Sequence, residues 1–115
     1  MKIIDGKNKI SVSELKKMAK KMYDNLVKVV VDVDKKIMAV DAAMHADQET
    51  ELLQQESKQN NLWGINIYPQ NSDDEMIEFD SMINPRPSQG NRFRGIDNPK
   101  IRLQIENIVN NLIKR

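Results

Sequence analysis

Val27-Lys28-Val29-Val30-Val31-Asp32-Val33-Asp34-Lys35-Lys36-Ile37-Met38-Ala39-Val40 is the stretch that decides the fold class of this chain. In an extended backbone Val27, Val29, Val31 and Val33 share one face, and Lys28, Val30 and Asp32 share the other. Asp34-Lys35-Lys36 is short and polar, and the apolar run Ile37–Val40 follows at once. Two such runs separated by three polar residues predict a β-hairpin. The turn contains no glycine, so Lys35 or Lys36 has to adopt a positive φ, at a mild energetic cost.

Upstream of the hairpin, Ser11 and Glu14 have the spacing of a capping box, and Ile10 is placed to staple onto Leu15. Leu15, Met18, Ala19, Met22 and Leu26 recur at helical spacing, with Lys16, Lys17, Lys20 and Lys21 on the opposite side. A helix from Val12 to about Asp24 is expected. Downstream, residues 43–60 fit two templates. Glu49, Leu52, Leu53 and Glu56 suit a short helix, whereas Met44, Ala46, Gln48, Thr50 and Leu52 alternate as in a strand. Leu62 to Tyr68 reads as a strand that Pro69 ends. Met76 to Ile83 reads as another, with Ile77, Phe79, Ser81 and Ile83 on one face, so the two form an antiparallel pair with one wet face. Asn84 to Ile96 is irregular. Asn98 then caps a final helix that has Pro99 at its first position and Ile101, Ile105, Ile108, Val109 and Leu112 as its apolar stripe.

These elements predict a single α+β domain over residues 1–115, an antiparallel sheet of four to five strands with the N- and C-terminal helices packed on one face. Hydrophobic residues make up 39% of the chain and charged residues 30%, as in a folded globular domain. Aromatics are only 4%, so the core must be aliphatic, and burial of a face in a homo-oligomer would add stability. The absence of cysteine excludes disulfides, thiolate catalysis and cysteine-ligated zinc. No signal peptide is read at the N-terminus and no apolar run approaches a membrane span, so a cytoplasmic location and no membrane partner are expected. Charge is uneven. Residues 1–36 carry ten basic and five acidic side chains, residues 37–83 one and ten, and residues 84–115 seven and two. Neutralisation across the fold explains that pattern as well as steering of an anionic partner does.

Two segments carry polar groups suited to chemistry. In Arg86-Pro87-Ser88-Gln89-Gly90-Asn91-Arg92-Phe93-Arg94, guanidinium forks can grip a carboxylate or phosphate, and Ser88, Asn91 and a glycine-freed backbone add donors. The ligand-binding candidates are therefore Arg86, Ser88, Asn91, Arg92 and Arg94. The alternative is a crossover whose arginines pair with the acids of residues 73–80. In His45-Ala46-Asp47-Gln48-Glu49, a strand would put His45, Asp47 and Glu49 on one face, as a metal cluster or a histidine base oriented by a carboxylate. A helix would align only His45 with Glu49. A lone histidine beside acids is also an ordinary structural residue. Trp63 and Tyr68 read as packing groups rather than a base-stacking platform, and the lysines of the first helix as a solvated face.

Val30–Val40, His45–Glu49 (H-A-D-Q-E), Leu62–Pro69 (L-W-G-I-N-I-Y-P) and Ile83–Arg92 (I-N-P-R-P-S-Q-G-N-R) together resemble a family of short prokaryotic proteins known as a domain of unknown function. The resemblance covers nearly the whole chain. It implies a Gly-Ser turn where this chain has Glu56-Ser57 and a glycine where it has Lys36. The first favours a hairpin over a helix for residues 43–60, and at least partial strand pairing is expected for residues 43–57. The family brings no activity, cofactor or metal. Three readings follow: a small binding module whose arginine loop receives an anionic ligand or nucleic-acid phosphate, an enzyme using His45, Asp47 and Glu49, and a structural homo-oligomer. Convergence of His45 and the arginine loop on one cleft would favour the enzyme.

Overall fold

The computed structural model describes all 115 residues. In chain order its elements are β1 (Lys2–Ile4), β2 (Ile10–Ser11), α1 (Val12–Met22), β3 (Val27–Asp32), β4 (Ile37–Val40), α2 (His45–Gln54), β5 (Leu62–Ile67), β6 (Ile77–Glu78), α3 (Pro99–Leu112) and β7 (Ile113–Lys114). Five strands form an antiparallel sheet in the order β1-β4-β3-β5-β6. β2 and β7 form a separate parallel pair, Ile10 opposite Ile113 and Ser11 opposite Lys114.

The central hairpin forms as its sequence dictates. Asp32, 1% exposed, accepts the N–H groups of Asp34 and Lys35 at 2.9 Å through one carboxylate oxygen. This Asx turn reverses the chain without glycine, and Lys36 takes the left-handed conformation at φ 59°. Both helix caps read from the sequence are present. Ser11 Oγ accepts the Glu14 N–H at 3.1 Å while the Glu14 carboxylate accepts the Ser11 N–H. Asn98 Oδ1 accepts the Lys100 N–H at 2.9 Å. α1 stops at Met22, earlier than its periodicity suggests, because Asp24 turns left-handed at φ 73°.

The sheet has two covered faces. On the first, Val27, Val29, Val31, Met38, Val40, Trp63, Ile65 and Ile67 meet Leu15, Met18 and Ala19 of α1 and Ile105, Ile108, Val109 and Leu112 of α3. The terminal helices therefore share one face, as expected. On the second, Val30, Ala39 and Leu62 pack against Leu52 of α2, with Ile3, Ile37 and Ile83 around them. That face is not wet, and the expectation of one wet face is corrected by the element that covers it.

Residues 43–57 are the main correction. His45–Gln54 is a helix, and the segment adds no strand to the sheet. His45, Gln48 and Leu52 lie at i, i+3 and i+7 and are the side chains α2 buries. The turn inferred at Glu56-Ser57 exists with another function. Glu56 is left-handed at φ 71°, Ser57 N–H donates to Leu52 O at 2.9 Å, and Glu56 N–H to Leu53 O at 3.1 Å. That is a Schellman ending, which closes a helix rather than a hairpin. Glycine at positions 36 and 56, which the family resemblance implies, fits this geometry, since both residues have positive φ.

Two further strand readings change. Met76–Ile83 pairs only over Ile77–Glu78, because beyond Glu78 the chain leaves the ladder and side chains take its place. Lys2–Ile4, to which the sequence reading assigned no element, is the fifth strand, pairing with Met38–Val40.

Candidate functional site

Past Asn66 and Ile67, where β6 pairs, β5 has an open edge at Leu62 to Gly64. The loop after β6 fills it with side chains. Asn84 is fully buried, and its amide makes both bonds a neighbouring strand would make. Gly64 N–H donates to Asn84 Oδ1 at 2.8 Å, and Asn84 Nδ2 donates to Gly64 O at 2.9 Å and to Arg94 O at 2.8 Å. Position 64 must be glycine, because a Cβ there would lie 2.4 Å from Ser81 Oγ and 2.5 Å from Ser81 Cβ.

Arg86 continues the seal. It is 8% exposed and donates to Gln59 O at 2.8 Å, to Leu62 O, and to Ile83 O and Gln89 Oε1 at 3.4 Å. Its guanidinium lies 4.3 Å from the centre of the Trp63 ring, a cation–π contact in a desolvated setting. Burial pulls its pKa below the ordinary arginine value, and the Glu49 carboxylate on α2 opposes that fall. Asn91, 3% exposed, ties the loop to itself. Its Nδ2 donates to Asn84 O, Phe93 O and Gly95 O, its Oδ1 accepts the Asp97 N–H, and its backbone exchanges two hydrogen bonds with Arg86. Gly90, at φ 76°, makes the reversal between them.

The five loop candidates thus separate by role. Arg86 and Asn91 face inward and are spent on backbone carbonyls and amides. Ser88, Arg92 and Arg94 face outward. Arg94 is paired with Asp80, Nε to Oδ1 at 2.7 Å, with both side chains still substantially exposed, and it also reaches Met82 Sδ at 3.3 Å. None of the three ion pairs in the protein involves Arg92. Between the two outward arginines stands Phe93, 73% exposed, with Met82 also 73% exposed. Sequence reasoning passed over Phe93; its signal was a large apolar residue flanked by arginines inside a Pro/Gly-bounded loop.

The helical form of α2 divides its own candidates. His45 and Glu49 look into the fold, and Asp47 is exposed on the other side. No group of three or more His, Asp or Glu side chains is placed to hold a metal ion. His45 Nε2 is 2.7 Å from Ile65 O, which fixes that nitrogen as the donor and leaves Nδ1 basic. The imidazole pKa is lowered, chiefly by burial; the Ile65 carbonyl and Asp80 act the other way, while Lys28 and Arg94 add to the fall. His45 therefore does lie within electrostatic reach of the arginine loop, and Glu49 within reach of Arg86. Along β5 and β6, Asn66 Nδ2 donates to Glu78 Oε1 at 2.8 Å, and Tyr68 OH donates to the same oxygen at 3.0 Å.

This burial has a pH consequence. The folded state disfavours the imidazolium, so below about pH 6.5 the unfolded chain binds more protons at this position than the folded one. Stability from this group is complete above that pH and falls as the pH drops from there toward the lower folded pKa. Urea midpoints on both sides of pH 6.5 should show the loss, and His45→Gln should flatten it. An unchanged profile in the variant would place the titration elsewhere.

A family model described as "Protein of unknown function (DUF5674)" matches residues 2–112. No curated protein matches the chain, and no solved structure does.

Proposed function

The chain belongs to the DUF5674 family of proteins of unknown function, and for this member we propose a binding role: a small module that presents Arg92, Phe93 and Arg94 to the phosphates and bases of a single-stranded nucleic acid. The observation that carries this reading is the contrast within one loop. Arg86, Asn84 and Asn91 are buried and hold the backbone through hydrogen bonds, with only Arg86 Nε left without a partner, yet the loop they hold leaves Phe93 73% exposed between two outward arginines. A stiff loop loses little conformational freedom when it binds, which is the benefit of preorganisation. An exposed aromatic ring stacks on any base, Arg92 is free to neutralise a phosphate, and Arg94 would exchange its exposed Asp80 partner for one. In this reading Arg86 and Asn91 support the site and Ser88 lies at its margin.

The test is fluorescence anisotropy of a labelled single-stranded oligonucleotide as a function of salt. Binding should weaken with rising salt. Arg92→Ala should reduce the slope of log K against log salt by about 0.7. Phe93→Ala should cost about 1–3 kcal/mol of binding, the usual worth of a stacked base. Both variants should melt close to the parent temperature. Absence of binding, or binding that ignores both substitutions, overturns the reading. An equal response to inorganic phosphate alone would narrow it to a small anion.

A further inference from the structure

Helix α3 has two exposed flanks, and each borders a cavity. On one flank Gln104, Asn107 and Asn111 follow one another at i, i+3 and i+7 above Ile108, and face the β3–β4 turn. With Val33 and Lys36 they line a cavity of about 330 Å³. On the other flank Asp73, Asp74 and Glu106 line a cavity of about 290 Å³ with Ile77, Phe79 and Asn110. The two differ in sign: the first is lined by an ammonium and carboxamides with no carboxylate, the second by three carboxylates.

We propose that the cavity between α3 and the β3–β4 turn binds a small sugar-like molecule carrying one phosphate or carboxylate. The carboxamides of Gln104, Asn107 and Asn111 are exposed on the cavity wall and make no hydrogen bond within the protein, so their donors and acceptors are open to a ligand. A carboxamide donates and accepts at once, which suits it to hydroxyl groups. Lys36 supplies the one positive charge for an acidic substituent. Val33 and Ile108 supply apolar surface for the C–H face of a ring. The frame is stiff, because the Asp32 Asx turn fixes Lys36 at φ 59° and the carboxamides project from the middle and last turns of a helix. The volume lies at the small end of ligand sites, which span about 300–1,000 Å³, and so suits a monosaccharide.

The experiment follows the side-chain amide resonances of Gln104, Asn107 and Asn111 during titration with ribose 5-phosphate, galacturonate, ribose and inorganic phosphate. At least one of the acidic sugars should shift them saturably, with ribose and inorganic phosphate much weaker. A response to ribose 5-phosphate alone assigns the phosphate class, and one to galacturonate alone the carboxylate class. Lys36→Asn removes the charge but keeps a residue that tolerates the left-handed backbone. It should weaken binding about ten-fold or more, as loss of a charge-assisted hydrogen bond does. Asn107→Leu, at an exposed helix position, should do the same. The proposal is overturned if no acidic sugar shifts these amides, if ribose or inorganic phosphate binds as tightly, or if neither substitution matters. Shifts confined to Arg92–Arg94 also overturn it, and would favour the loop site instead.

Discussion

Arg86→Ala is expected to destabilise the fold by about 3 kcal/mol or more, since a hydrogen bond to a charged group is worth about 1.5–3 kcal/mol and this guanidinium makes several. The guanidinium donates to the carbonyls of Gln59, Leu62 and Ile83. Its loss removes the side-chain donor to Leu62 O and Ile83 O, leaves Gln59 O with only the Leu62 N–H, and takes the nearby positive charge from the half-buried Glu49 carboxylate. It also removes the stacked neighbour of Trp63, a ring that is 1% exposed. Small domains have a total stability of about 5–15 kcal/mol, so the variant should melt at least 12 °C lower, taking roughly 4 °C per kcal/mol. Arg86→Lys should recover little, since one ammonium cannot span carbonyls that a planar fork reaches together. Thermal denaturation of both variants checks this. A parent-like melt for Arg86→Ala would mean that the guanidinium is free for a ligand.

Gly64→Ala is expected to cost about 1–3 kcal/mol or more, although alanine is ordinarily no worse than glycine in a strand. The added methyl has no room. Ser81, fully buried, lies over Gly64, and its Cβ as well as its Oγ would collide with the new carbon; Ile83 Cγ1 would be 3.2 Å away. A serine hydroxyl can rotate but its Cβ moves only with the backbone, and that backbone leads into Asn84, whose amide holds the edge of β5. Ser81→Gly made in the same chain should return part of the loss, a coupling that denaturant midpoints of the single and double variants would measure. Simple additivity of the two substitutions would show that the clash is relieved some other way.

The elements set by local signals were legible in the sequence. The valine hairpin, both caps, Pro99 at the start of α3 and the strand Leu62–Ile67 all follow from side-chain period and backbone chemistry. The lack of glycine in the turn pointed to a positive φ at Lys35 or Lys36, and it is Lys36 that adopts it. What was not legible depended on partners distant in sequence. Residues 43–57 carry helix and strand patterns together, and only the apolar second face of the sheet, with Val30, Ala39 and Leu62, selects the helix that sets Leu52 on it. The end of β6 was hidden because Asn84 makes ladder bonds with a side chain, which no periodicity records. For the same reason Arg86 and Arg92 looked alike in the arginine loop. Their difference is burial against β5, and burial is a property of the fold rather than of the loop's composition.

The β2–β7 pair has a consequence for how the protein opens. β2 runs directly into the first turn of α1, and β7 continues directly from the last turn of α3. Ser11 is at once the cap of α1 and the partner of Lys114 across the parallel pair. This clasp joins segments about as far apart in sequence as the chain allows, so its closure carries a larger entropic cost than a local turn does. Once it is formed, the start of α1 cannot unwind without releasing the end of α3. The two helices should therefore share one opening event, with their amides exchanging as a single unit rather than fraying separately, while α2 opens on its own account from the opposite face.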